Sequence, residues 1–240
     1  MEILAELEPS KDPDELIERA RILAGIYDWI DIPDSPLGIP SINSLLASCS
    51  LSINVTNRII SHIRLIDLNR IAFNSIIKTL ALVPLKRIVF LRGDPPRKNA
   101  SIINDVDPEY ALSYAKTRIR DKEFGLLLSM RKSWNEISER LSLQPDFTLI
   151  LNIRSTNSNM LNMLRNEAKT RRIKTYAYIV IETSRNSHLL RGSVNRLSLF
   201  NEKEAQDYIQ KLSAFLDGFL ISVPGDFNYL VELGRKLSRR

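Results

Sequence analysis

The sequence has a single cysteine, Cys49, inside the apolar segment Leu45-Leu46-Ala47-Ser48-Cys49, so no internal disulfide can form. A buried small hydrophobe is a better reading of this thiol than a nucleophile. Histidine is nearly as scarce, with only His62 and His188. Neither an H-x-x-x-H nor a C-x-x-C spacing occurs, so no metal site is expected. No apolar run reaches the ~18 residues that a membrane span needs. The acidic start Met1-Glu2-Ile3-Leu4-Ala5-Glu6 lacks the basic opening of a secretory signal. The expectation is a cytoplasmic protein with no membrane segment. Lys and Arg number 34 against 28 Asp and Glu, a net charge of +6. These basic residues are dispersed apart from Arg235-Lys236 and Arg239-Arg240, and no aromatics interleave with them. A nucleic-acid partner is therefore not expected.

What is present is a regular alternation of short apolar runs with helical patterns. The runs are Ile3–Leu7, Trp29–Ile32, Ile59–Ile66, Ile88–Leu91, Phe124–Met130, Phe147–Ile153, Tyr176–Ile181 and Gly218–Val223. Between them lie helical patterns beginning at Asp12-Pro13, near Ile42, and at Leu68, Pro108, Trp134, about Met160, Glu202 and Phe227. The helix from Leu68 is read with Leu68, Ile71, Ala72, Ile76 and Leu80 on its buried face. Ser187 to Phe200 is left unassigned. Strands apolar throughout belong to a parallel sheet buried on both faces. Eight strand–helix units in 240 residues select an α/β fold, a (β/α)8 TIM barrel forming one domain over residues 1–240. A doubly wound open sheet is the runner-up, but its G-x-G-x-x-G loop is missing.

In such a barrel, chemistry sits at the C-terminal ends of the strands. Those ends carry Glu6 and Glu8, Asp34, His62 and Arg64, Arg92 and Asp94, Arg131, Asn152 and Arg154, Glu182 and Asp226. Glu8, Asp34, Arg154 and Asp226 are read as solvated loop residues, whereas Glu6, Arg92 and Asp94 have tightly apolar neighbours. The fourth run breaks abruptly into Arg92-Gly93-Asp94-Pro95-Pro96. Strand alternation puts Phe90, Arg92 and Asp94 on one face, directed into the mouth of the site.

Three segments together resemble the methylenetetrahydrofolate reductase family. Glu6-Leu7-Glu8-Pro9-Ser10-Lys11 is similar to that family's first-strand E-x-x-P-P-[KR]. His62-Ile63-Arg64-Leu65-Ile66-Asp67-Leu68-Asn69 resembles its third-strand H-[LI]-T-C-R-D-x-N. Leu91-Arg92-Gly93-Asp94-Pro95-Pro96 matches its L-[RT]-G-D-P-P. The resemblance implies an FAD-binding barrel that reduces the methylene group of a tetrahydrofolate-type one-carbon carrier to methyl. NAD(P)H or another donor would supply electrons, and self-association or a partner subunit is implied. Glu6 would be the general acid toward the folate nitrogen, and Asp94 would tune hydride transfer and orient the pterin. His62, Arg92, Asp94 and Arg140 would contact the cofactor. Glu6, Asp94 and Asn152 would contact the substrate.

Elsewhere the sequence departs from the family. Ile32-Pro33-Asp34 stands where the family has V-T-[DY], and Arg64, Leu65 and Ile66 replace T-C-R. Ser129 to Trp134 has none of the Y-P-E-x-H-P-like stretch after strand five. Ile150-Leu151 replaces the sixth-strand T-Q unless Asn152 supplies the amide. Glu136, Glu139 and Arg140 occupy positions that usually bring basic residues to the cofactor phosphates. Arg97, Lys98, Arg131 and Lys132 could rebuild a phosphate site from neighbouring loops. The alternative reading is therefore a non-flavin binding or regulatory homologue acting with a partner subunit.

Overall fold

The computed structural model describes residues 1–97, 100–190 and 199–238. Its strands are β1 (Glu2–Glu6), β2 (Trp29–Ile32), β3 (Ile59–Arg64), β4 (Arg87–Leu91), β5 (Glu123–Ser129), β6 (Phe147–Leu151), β7 (Lys174–Glu182), β8 (Leu199–Asn201) and β9 (Gly218–Ser222). Between them lie α1 (Pro13–Ala24), α2 (Ser44–Asn54), α3 (Arg70–Leu80), α4 (Pro108–Arg118), α5 (Trp134–Ser142), α6 (Ser158–Arg171), α7 (Ser187–Leu190), α8 (Glu202–Leu212) and α9 (Phe227–Ser238). The hydrogen-bonded order is β6-β5-β4-β3-β2-β1-β9-β7, and β7 also pairs with β6. The fold is a (β/α)8 barrel, with β8 an extra short strand on β7. No described helix is long and apolar enough to cross a membrane.

Residues cluster into two compact units, one of 1–6, 25–29 and 127–240, the other of 7–24 and 30–126. In the first, β1 and β9 pair in parallel with Glu2 opposite Gly218, and β9 and β7 pair with Gly218 opposite Tyr176. Leu4, Leu149, Tyr176 and Leu220 are fully buried there. The Tyr27 hydroxyl donates to the Leu230 carbonyl at 2.7 Å, tying the start of β2 to α9. Helix α8 begins in a capping box between Asn201 and Glu204. That reciprocal bonding satisfies two otherwise orphaned N–H groups.

In the second unit β2, β3, β4 and the start of β5 pair in register, with His62 opposite Val89 and Phe90 opposite Leu126. Phe90 stacks on Phe124 at 5.6 Å and meets the edge of Phe73 from α3 at 6.0 Å. Helix starts are set by side-chain caps, Asn69 on Ala72 N–H and Asp107 on Tyr110 N–H.

The structure corrects one helix face. Phe73, Ile77 and Leu80 are the buried side of α3, whereas Ile71 is 79% exposed. The aromatic Phe73 anchors the helix on Phe90, and its i+4 and i+7 partners follow it inward. Several boundaries shift by one or two residues: β3 stops at Arg64, β6 stops at Leu151, and α3 begins at Arg70. The unassigned stretch yields α7 and β8, while residues 191–198 lie outside the described residues.

Candidate functional site

Glu6 ends β1 and is 8% exposed. Its two carboxyl oxygens are claimed by different strands. Ser222 Oγ, the last residue of β9, donates to Oε1 at 2.6 Å. The Tyr178 hydroxyl, from the middle of β7, donates to Oε2. A carboxyl removed from water is costly unless hydrogen-bonded, and here two hydroxyl donors satisfy it. Each hydroxyl can also turn to accept a hydrogen bond, so the pair can partner the carboxyl in either protonation state. Neither Tyr178 nor Ser222 was singled out from the sequence. The alternation Tyr176-Ala177-Tyr178 and the lone polar residue closing Gly218-Phe219-Leu220-Ile221-Ser222 were the available signals.

Nearby in the same unit, Asn152 takes a left-handed backbone (φ 58) just after β6, and its amide donates to Ser129 Oγ at 3.0 Å. Arg154 is a strut. It pairs with Glu204 at 2.9 Å, donates to the Leu199 carbonyl and lies over Phe200. Asp226, read as solvated, is buried and caps α9, taking Thr183 Oγ1 at 2.9 Å and Tyr229 N–H at 3.2 Å.

The second unit holds a different cluster. His62 Nε2 lies 2.9 Å from Asp31 Oδ1, and the two are 4% and 0% exposed. Asp31 Oδ2 has no hydrogen-bond partner among the described residues. Asp31 was missed in the sequence, although an acid inside Trp29-Ile30-Asp31-Ile32 is a marked interruption of an apolar strand. Asp34 is half-buried rather than solvated, and its carboxyl accepts the Arg64 N–H at 3.1 Å. Burial pushes its pKa up against the opposing effects of that bond and of His62, Ser44 and Arg64. Arg64 is itself buried, pairing with Asp67 and donating to the Ser35 carbonyl at 3.3 Å.

The Arg92–Pro96 turn is arranged otherwise than strand alternation predicts. β4 ends at Leu91, and Phe90, on the face Arg92 was to share, points into the aromatic contact with α3. Arg92 is exposed and donates to Asn104 at 2.7 Å. Gly93 has φ 88, which ends the alternation, so Asp94 does not continue the Phe90–Arg92 face. Asp94 is exposed, and its carboxylate accepts the Leu37 N–H at 2.9 Å. The turn packs directly on the loop after β2. A Cβ on Gly38 would lie 2.0 Å from the Pro95 carbonyl oxygen.

The positions aligned with phosphate-binding residues do not fit a diphosphate. Glu136 forms a capping box with Ser133 and an ion pair with Lys132 at 2.8 Å. Those bonds hold its carboxyl down to about 2. Arg140 sits in the last turn of α5, at the helix end farther from the strand-five lip. Lys98 lies outside the described residues.

No protein-family model and no curated protein matches the chain. Solved structures do share its fold. Coenzyme F420 dependent tetrahydromethanopterin reductase from Methanopyrus kandleri superposes with a TM-score of 0.63 at 11% identity, covering 98% of this chain and 97% of that one. DmoA from Hyphomicrobium sulfonivorans gives 0.61 at 9% identity, over 96% and 85% of the two chains. Tryptophan synthase from M. tuberculosis gives 0.60 at 11%, over 99% and 91%. At these identities the likeness concerns the barrel alone.

Proposed function

We propose that the chain is an oxidoreductase that reduces the methylene group of a reduced-pterin one-carbon carrier, with Glu6 as proton donor. The observation that carries this reading is the Glu6 carboxyl, buried at the end of β1 with one hydroxyl on each oxygen. Opening a methylene bridge between carbon and a pterin nitrogen requires a proton on that nitrogen, and a positioned carboxyl supplies it. Tyr178 and Ser222 fix the carboxyl's orientation and can return its proton. The first-, third- and fourth-strand motifs support the same reading. So does the barrel shared with a protein named coenzyme F420 dependent tetrahydromethanopterin reductase.

A bound flavin-type cofactor would supply hydride to the carbon, with NAD(P)H or another donor replenishing it. FAD is the family's cofactor, yet the described α5 positions present a capping box and not a diphosphate cradle. That misfit favours, as the second reading, a homologue that binds without flavin and acts beside a partner subunit. His62, Arg92, Asp94 and Asn152 retain their proposed contacts to cofactor and substrate only under the first reading, and the position of Arg140 speaks against its own.

The test is the visible spectrum of the purified protein, before and after adding FAD, followed by turnover of methylenetetrahydrofolate and methylenetetrahydromethanopterin. Flavin bands and consumption of either carrier support the reductase. A colourless protein that takes up no flavin and turns over neither carrier sinks it.

A further inference from the structure

Arg165, Ala168, Lys169 and Arg172 recur at i, i+3, i+4 and i+7 along α6 and its cap, and so form one stripe of the helix. That stripe lines a cleft of about 470 Å³ together with Ile173 to Thr175 and the turn Ser213 to Asp217 after α8. The cleft lies at the N-terminal ends of β7 and β9, the opposite end of β9 from Ser222. Its volume is that of a small-molecule site. Ala168, Ile173 and Leu216 give it a buried apolar floor, with Phe215 half-buried beside them.

The charges around it are unbalanced. Arg171 is paired with Glu167 at 2.8 Å and Lys174 with Glu2 at 3.1 Å. Arg165, Lys169 and Arg172 are exposed, and no carboxylate of the described residues pairs with them. Among the described residues of the lining the one acid is Asp217, which spends Oδ2 on Thr175, accepting its N–H at 2.8 Å and its hydroxyl at 3.0 Å. Cations in a last helical turn complement the helix dipole, which accounts for Lys169 and Arg172. It does not account for Arg165, which lies well before that turn and repels Lys169 at i+4. A counter-charge in the cleft would relieve that repulsion.

We propose that this cleft binds a nucleotide, with its phosphates held by Arg165, Lys169 and Arg172 and its base laid on the floor beside Phe215. Inorganic phosphate alone would leave most of the volume and the apolar floor unused. A polynucleotide would need the basic stripe to extend beyond α6, whereas the other basic residues are scattered.

The test is calorimetric titration of the full chain with ADP, adenosine, pyrophosphate and a single-stranded oligonucleotide. ADP is expected to bind one per chain, weaken with salt, and exceed both adenosine and pyrophosphate in affinity. Arg165→Ala and Lys169→Ala should each weaken ADP roughly tenfold or more, the loss of one charge-assisted contact. Both side chains are on the surface, and matching thermal unfolding curves confirm that the variants fold. Arg172→Ala provides a further exposed site for the same comparison. Absence of ADP binding, or unchanged binding in all three variants, overturns the proposal. So does pyrophosphate binding as tightly as ADP, or an oligonucleotide binding far more tightly.

Discussion

Two carboxylates come from the most family-like motifs of this chain, and the structure treats them in opposite ways. Glu6 is buried, with hydroxyls from β7 and β9 on its two oxygens. Asp94 is exposed and spends a carboxylate oxygen on the Leu37 N–H of the loop after β2. The first arrangement holds a hydrogen-bonded carboxyl out of water. The second fixes a loop, and Gly38 and Gly93 make that fixing tight. A motif can therefore be equally legible at two strand ends while its carboxylate is buried at one and exposed at the other.

The buried cluster around β2 and β3 gives the largest expected effect on stability. Asp31→Ala removes the carboxylate bonded to His62 Nε2 in a dry site, and breaking a buried pair in this way costs about 3–5 kcal/mol. Denaturant unfolding reads that loss, and a change below about 1 kcal/mol would show that water or rearrangement replaces the pair. On the Asp94 side, Gly38→Ala combines a left-handed backbone with a Cβ only 2.0 Å from the Pro95 oxygen. A loss of about 3 kcal/mol is expected, and a neutral result would show that the turn is not clamped to the loop.

Tyr178→Phe removes one hydroxyl from the buried Glu6 carboxyl and should cost about 1–3 kcal/mol. Asp94→Ala removes an exposed acceptor and should cost only ~1 kcal/mol. Equal losses in these two variants would erase the contrast between the two carboxylates.

The smallest effect is one of pH. Burial raises the Asp34 pKa, so the folded state holds this proton more tightly than the unfolded state. The stability it contributes is present below the unfolded-state pKa and is lost as pH rises through the folded-state value. Asp34→Asn keeps an acceptor for the Arg64 N–H and carries no charge. Its stability relative to the parent should therefore rise as the pH climbs above the ordinary Asp value of about 4. A difference independent of pH would contradict the assignment.

Much of the barrel was legible because its strands are buried on both faces and stay apolar whatever their neighbours. β2 was read with the boundaries observed, Trp29–Ile32. Where the sequence misled, tertiary contacts decided. Ile71 fits a helical stripe as well as Phe73, but only Phe73 meets Phe90 and Tyr114. Gly93 was visible as a turn residue, but its positive φ, which cancels the strand alternation before Asp94, was not. The partners of Glu6 were hidden because Tyr178 and Ser222 are 172 and 216 residues away in sequence. Residues that meet only through barrel pairing leave no local pattern.

The central claim is that Glu6 delivers the proton, and Glu6→Gln tests it most directly. Glutamine can keep an oxygen acceptor for one of the two hydroxyls but has no proton to give. Turnover of the methylene-pterin carrier should fall about 10²- to 10⁴-fold, while cofactor binding and cofactor reduction by the electron donor stay at parental levels. Undiminished carrier turnover in Glu6→Gln would contradict the account.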